Sequence, residues 1–152
     1  MANYDDLINN IGESFFEFQT KLQFYEKEYL RKHEITDVSP TEIKVLYQIG
    51  ISNTKSMSDI ARGLMITKGT LSITVNTLVK KGYIIRNRHK QDRRVIVLYL
   101  TKKAILVIKK YQKFYNQLLT NLMKEIKLQD AINLNNVLSK LNEIIDTFYD
   151  ED

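Results

Sequence analysis

The chain has no cysteine among its 152 residues, only two histidines, one proline and five glycines. Without thiols there can be no disulfide, no thiolate metal site and no thiol redox switch, which suits a reducing, intracellular compartment. The histidines, His33 and His89, stand far apart in the sequence. They offer no metal-ligand spacing and no nucleophile–base arrangement. The glycines build neither a GxxxxGKS or GxxxxGKT loop nor a GxGxxG turn, so no phosphate cradle is legible. No apolar run approaches the ~18–20 residues that span a bilayer. The N-terminal stretch MANYDDLINNIGESFF is acidic and polar, unlike a secretion signal. These absences predict a cytoplasmic protein with no catalytic residues, no cofactor, no metal and no membrane contact.

Charge is present, and it is segregated. Net charge is +5 and the pI about 9.3, a weak pointer to a polyanionic partner. From Asn53 to Lys103 there are twelve Lys and Arg against Asp59 and Asp92, a net of +10, and the remainder nets −5. A basic middle between acidic flanks reads as a nucleic-acid face on a neutral-to-acidic scaffold. Uneven solvation charge is the plainer alternative.

Periodicity supplies the elements. Ile8, Ile11, Phe15, Phe18, Leu22, Tyr25 and Tyr29 step by three and four, predicting a helix from about Tyr4 to Lys32. Ser39-Pro40-Thr41-Glu42 is a helix start with a capping box, and Ile43, Leu46, Tyr47 and Ile49 are its expected buried side. Ser56 opens a short helix to about Arg62, and Thr67 caps another that stops at Gly82. Two close helices joined by a short segment with Gly63 make a helix-turn-helix. Tyr83–Arg88 and Val95–Leu100 are β-rich, separated by the basic tip His89-Lys90-Gln91-Asp92-Arg93-Arg94. Helices follow from Thr101 to about Lys127 and from about Asp130 to Phe148. The expected fold is mainly α with a small β-hairpin, a single domain over 1–152 with a winged-helix lobe at about 39–100.

In the Thr67–Lys81 helix, Leu71, Val75, Leu78 and Val79 face inward. Lys68, Thr70, Ser72, Ile73, Asn76, Thr77 and Lys80 lie largely outside that stripe, with no acid among them. Small hydroxyls and an amide can approach base edges, and lysines suit phosphates. The hairpin residues Arg88, His89, Lys90, Arg93 and Arg94 are candidates for the adjacent minor groove, which attracts Arg where it is narrow. Asp92 is expected to pair with Arg94 or Arg86 and so fix the hairpin.

The stretch Ser56–Ala104 resembles the core of the MarR family of bacterial regulators. The most specific part is DRRVIVLYLT, where Asp92, Arg94, Leu100 and Thr101 occupy the positions of that family's wing signature; KKGYI, Lys80 to Ile84, is similar to the end of its recognition helix. The resemblance implies a winged helix-turn-helix with N- and C-terminal dimerisation helices, here about 4–32 and 101–149. It also implies a homodimer reading a pseudo-palindromic operator, commonly as a repressor. Many relatives carry Arg where this chain has Ile73.

Family members commonly answer to a small aromatic or amphipathic effector between the dimer helices and the DNA-binding lobe. Phe15, Phe18, Leu22, Tyr25, Tyr47 and Tyr111 are the candidate wall. Thr67–Ile84 is also similar to MarR-type repressors of fatty-acid synthesis genes, which respond to acyl carrier protein. Zinc- and peroxide-sensing branches are disfavoured by the histidine and cysteine counts. The competing reading is a helical interaction module whose winged helix takes a protein or RNA partner.

Overall fold

The computed structural model describes residues 3–52 and 55–148, with the backbone alone at Phe148. Among them run helices α1 (Tyr4–Lys32), α2 (Pro40–Ile51), α3 (Met57–Gly63) and α4 (Lys68–Lys80), strands β1 (Ile84–Arg88) and β2 (Ile96–Leu100), then α5 (Lys102–Glu125) and α6 (Leu128–Phe148). Residue 149, the expected end of the last helix, and the Phe148 side chain lie outside what is described. The chain divides into two compact units, residues 1–112 and 113–152, with α5 crossing the boundary.

The helix starts follow local chemistry. The Ser39 hydroxyl accepts from the Glu42 amide while the Glu42 carboxylate accepts from the Ser39 amide, and Pro40 sits in the first turn. Ser56 and Thr67 accept from the amides of Asp59 and Thr70. Each such cap contributes about 1 kcal/mol by satisfying an amide the helix cannot.

The first unit has its own core. Ile43, Leu46, Ile49, Ile60, Leu71, Val75, Leu78 and Leu98 are fully buried. Leu71, Val75 and Leu78 recur at helical spacing, so α4 is sealed on one side. Tyr47, expected in this core, is 41% exposed, and Val45 is buried instead. At about 100° per residue, Val45, Ile49, Leu46 and Ile43 fill one arc of α2, and Tyr47 falls just past its edge.

The turn between α3 and α4 also differs from expectation. Gly63 is the last residue of α3, and the left-handed position is Met65, with φ 54°. The Met65 and Ile66 amides donate to the Arg62 and Ala61 carbonyls, closing α3. A left-handed non-glycine costs about 1–2 kcal/mol; the closing hydrogen bonds hold it. At the end of α4, by contrast, the left-handed residue is Gly82, φ 77°, where no Cβ penalty arises.

The strands pair antiparallel, Ile84 with Leu100 through Arg88 with Ile96. A third segment joins them: Ser56 bridges Val97, and the Leu98 amide donates to the Lys55 carbonyl at 2.9 Å. A polar clamp ties α2, α4, β1 and α5. Asp37 accepts from the Tyr83 hydroxyl at 2.5 Å and the Lys103 ammonium at 2.6 Å. Lys103 also reaches the Lys81 carbonyl, and Lys81 pairs with Glu42 at 2.8 Å. On α1, buried Glu26 accepts from the Tyr111 hydroxyl at 2.7 Å.

The second unit holds the end of α5 and all of α6. Among its described side chains α6 buries none. Leu128, Val137, Leu138, Leu141 and Ile145 are all exposed. The first half of α1 is similar: Ile8, Ile11, Phe15, Phe16 and Phe18 are more than half exposed. No helix among the described residues is long and apolar enough to cross a membrane.

Candidate nucleic-acid interface

The Thr67 cap starts α4 and the buried Leu71–Val75–Leu78 row sets its rotation. What remains outside is the predicted set. Lys68, Thr70, Ile73, Asn76 and Lys80 are exposed, and Ser72 and Thr77 are half-buried. Val79, predicted to face inward, is half-buried too.

Hydrogen bonding narrows what this face can do. Thr77 donates its hydroxyl to the Ile73 carbonyl and Thr74 to that of Thr70. The Thr70 hydroxyl lies 3.0 Å from that of Thr67. Thr74 and Thr77 thus spend their hydroxyl donors on the helix itself, and the Thr70 hydroxyl is engaged with that of Thr67. Ile73 is 71% exposed, unusual for a side chain whose burial would be favourable by about 2 kcal/mol.

The wing follows within four residues of α4. Arg86 and Arg88 lie on β1, and His89, Lys90, Arg93 and Arg94 form the tip; all are exposed. The tip is ordered by its own bonds. The His89 amide donates to the Val95 carbonyl at 2.8 Å, and the Val95 amide to the Asp92 carbonyl at 3.0 Å.

One expectation needs correction. Asp92 forms no ion pair with Arg86 or Arg94 among the described residues; its carboxylate instead accepts from the Arg94 backbone amide at 2.9 Å. A short Asp two residues ahead of that amide closes a local turn that a guanidinium bridge would have to stretch across. His89 turns Nδ1 back into the loop, facing the Gln91 and Asp92 amides at 3.3 and 3.4 Å, so at most its Nε2 edge is available to a ligand.

The six candidate effector residues, finally, are spread over several surroundings among the described residues. Phe15 and Phe18 line a shallow apolar hollow with Ile11 on α1. Leu22 is half-buried, and Tyr25 is exposed against the edge of Phe24. Tyr111 is core, bonded to Glu26. Tyr47 borders a cavity near the wing. A helix rises about 1.5 Å per residue, which sets Phe15 and Tyr25 about 15 Å apart along α1.

The electrostatics separate the basic residues into two classes. Lys81, Lys103 and Arg62 are neutralised by Glu42, Asp37 and Asp59. Lys68, Lys80, Arg86, Arg88, Lys90, Arg93 and Arg94 enter no ion pair among the described residues. In the clamp, hydrogen bonds from Lys103 and Tyr83 hold the Asp37 carboxyl below its ordinary range. Burial opposes ionisation of Glu42, yet Lys81 and the Ser39 amide outweigh it and lower its pKa. Burial, then Asp37, push the Tyr83 phenol well up. Asp37, Tyr83 and Lys103 were not singled out by sequence, because nothing local signals a contact 46 or 66 residues away.

A sequence model of the MarR family matches residues 36–95, from before α2 to the end of the wing loop. The crystal structure of Streptococcus pneumoniae FabT in complex with DNA superposes with a TM-score of 0.87 at 27% identity, over 93% of this chain and 99% of that one. Over residues 36–95 the chain is similar to the MarR family, and its fold is that of a MarR-type winged helix. The chain is also 32% identical over 77 residues to the HTH-type transcriptional regulator SarZ of Staphylococcus haemolyticus; the match covers 51% of the chain and spans about half the length of that relative. A Staphylococcus aureus MepR–DNA complex has the same fold, with a TM-score of 0.68 at 17% identity over 94% of this chain and 96% of that one. MarR-family members are transcriptional regulators rather than enzymes.

Proposed function

We propose that this protein is a sequence-specific, double-stranded-DNA-binding transcriptional regulator that acts as a cytoplasmic homodimer and represses by occupying a pseudo-palindromic operator. One observation carries the reading. Seven cations on α4 and the wing are exposed and unpaired, while the cations of the clamp are paired. Exposed unpaired cations repel one another, and a phosphate backbone relieves that. The acid-free outer face of α4 and its exposed amide and methyl groups suit base edges. Similarity to DNA-bound FabT supports the same reading.

Exposed apolar stripes on α1 and α6 support the dimer, because large exposed apolar surface marks an interface. An effector site is supported by a cavity of about 420 Å³ lined by Tyr47, Ile51, Tyr99, Leu100 and Ile108, with Lys55 and Lys109 beside them. Its chemistry suits an amphipathic anion such as an acyl carboxylate. Tyr99 and Leu100 belong to β2, so an occupant would bear on the wing and shift the DNA-binding population.

Selection of bound sequences from a random duplex pool tests the reading. An inverted repeat with half-sites about one helical turn apart is expected. Affinity should fall steeply with salt, by about 10³-fold or more between 50 and 200 mM. Salt-insensitive binding, or no duplex bound by folded dimer, would favour a protein or RNA partner. Operator-bound protein titrated with decanoate tests the effector: release supports the cavity, and unchanged affinity removes it. A reporter behind the selected operator, silenced by the protein, would establish repression.

A further inference from the structure

The outer row of α4 is Gly69, Ile73, Asn76 and Lys80, spaced four, three and four residues apart. Gly69 brings no side chain, and a Cβ there would meet nothing closer than the Thr67 hydroxyl at 3.7 Å, so the backbone can approach a surface closely. Ile73 stands 71% exposed at the middle of the row. Asn76, one turn on, is exposed, and its amide has no hydrogen-bond partner among the described residues. Thr70 and Thr77 flank the row with their hydroxyls engaged on Thr67 and on the Ile73 carbonyl. No guanidinium lies anywhere on α4.

These groups match one kind of base pair. In the major groove guanine is read chiefly by a bidentate Arg or Lys on O6 and N7. Adenine is read by a bidentate Asn or Gln on N6 and N7, and thymine by apolar contact with its 5-methyl group. The middle of α4 offers one amide and a cluster of methyl groups, with lysines only at its two ends. Resting on the DNA-binding reading above, we propose that α4 reads A·T pairs: Ile73, with the Thr70 and Thr77 methyls beside it, packs on thymine methyl groups, and Asn76 pairs with an adenine in the same half-site. Ile73 and Asn76 are the specificity-determining residues. Lys68 and Lys80 serve phosphates.

The decisive probe removes the methyl group and nothing else. The full-length protein is used to select sequences from two random duplex pools, one containing thymine and one containing deoxyuridine in its place. The thymine pool should return half-sites with thymines and an adenine at fixed central positions. Replacing one such thymine by deoxyuridine should weaken binding about fourfold, the share of one buried methyl group. In Ile73→Ala the same replacement should have no further effect at one thymine in each half-site, although binding to phosphate persists with an unchanged salt slope. Asn76→Ala should relax the adenine position alone. Ile73→Arg should recruit guanine opposite residue 73. Guanine-centred half-sites bound equally with thymine or deoxyuridine would overturn the assignment, as would Ile73→Ala retaining the full methyl effect. Steep salt dependence with no preferred sequence would overturn it too, while leaving DNA binding intact. No binding to any duplex would remove both.

Discussion

Helices α4 and α6 both carry an apolar stripe at helical spacing, yet their fates differ. The stripe of α4 is fully buried at Leu71, Val75 and Leu78, with polar and basic side chains opposite. That of α6 is exposed from Leu128 to Ile145. The first is completed by its own chain, because α2, α3 and β1 pack against it. The second buries none of its described side chains. Helical periodicity states that a face wants burial; it does not state which molecule supplies the cover.

The comparison can be broken at either helix. The largest effect is expected from Leu138→Asp with Leu141→Asp on α6. If a second copy covers this stripe, two lost leucines and two carboxylates facing an apolar surface cost at least about 4 kcal/mol of association. Sedimentation should show monomer, and operator affinity should fall on the order of a thousandfold, with the helical content of the monomer retained. A dimer that persists would assign the stripe another partner.

On α4, Leu71→Ala should destabilise the fold itself by about 2–5 kcal/mol in chemical denaturation, because it opens a cavity in a closed core. If stability changes little, α4 is not sealed as described.

Arg94→Ala should leave folding and dimerisation alone and weaken operator binding by about tenfold to a hundredfold, with the salt slope reduced by about one per protomer. Normal binding by a folded dimer would remove the wing from the interface.

The smallest effect concerns the clamp. The Asp37 and Glu42 carboxyls are both lowered in the folded state. Their contribution is therefore present above the ordinary carboxylate values, 3.8 and 4.5. It is lost as pH falls through the lower folded values. Stability should hold from neutral pH to about pH 5 and decline below it. Asp37→Asn should flatten the decline while costing under about 1 kcal/mol at pH 7, since the Asp37–Lys103 pair is half exposed and screened. An unchanged acid profile would show that other carboxylates govern it.

Much of the lobe was legible in the chain. The caps at Ser39, Ser56 and Thr67 are written in residues at most four positions apart, where side chain and backbone meet directly, and the hairpin is written in two β-rich runs around a polar tip. The outer residues of α4 followed from phase alone. The misreadings share a cause as well. Tyr47, Tyr111 and Asp92 carry no local mark of what they will touch. An aromatic at helical spacing can become core, as Tyr111 did beside Glu26, or stay at a surface, as Tyr25 did. Asp92 has arginines beside it in the sequence, yet its carboxylate accepts from a backbone amide.

The sequence by itself determined the order of the helices, the polarity of their faces and the concentration of positive charge between Asn53 and Lys103. Local hydrogen bonding and helical period act over a few residues and need no knowledge of the rest of the chain. Only the tertiary structure decided which of those cations are spent on Asp37 and Glu42 and which stay free on α4 and the wing. It decided, too, that Ile73 is left bare. Those outcomes depend on distances between residues tens of positions apart, and on the rotation a buried row imposes on its helix.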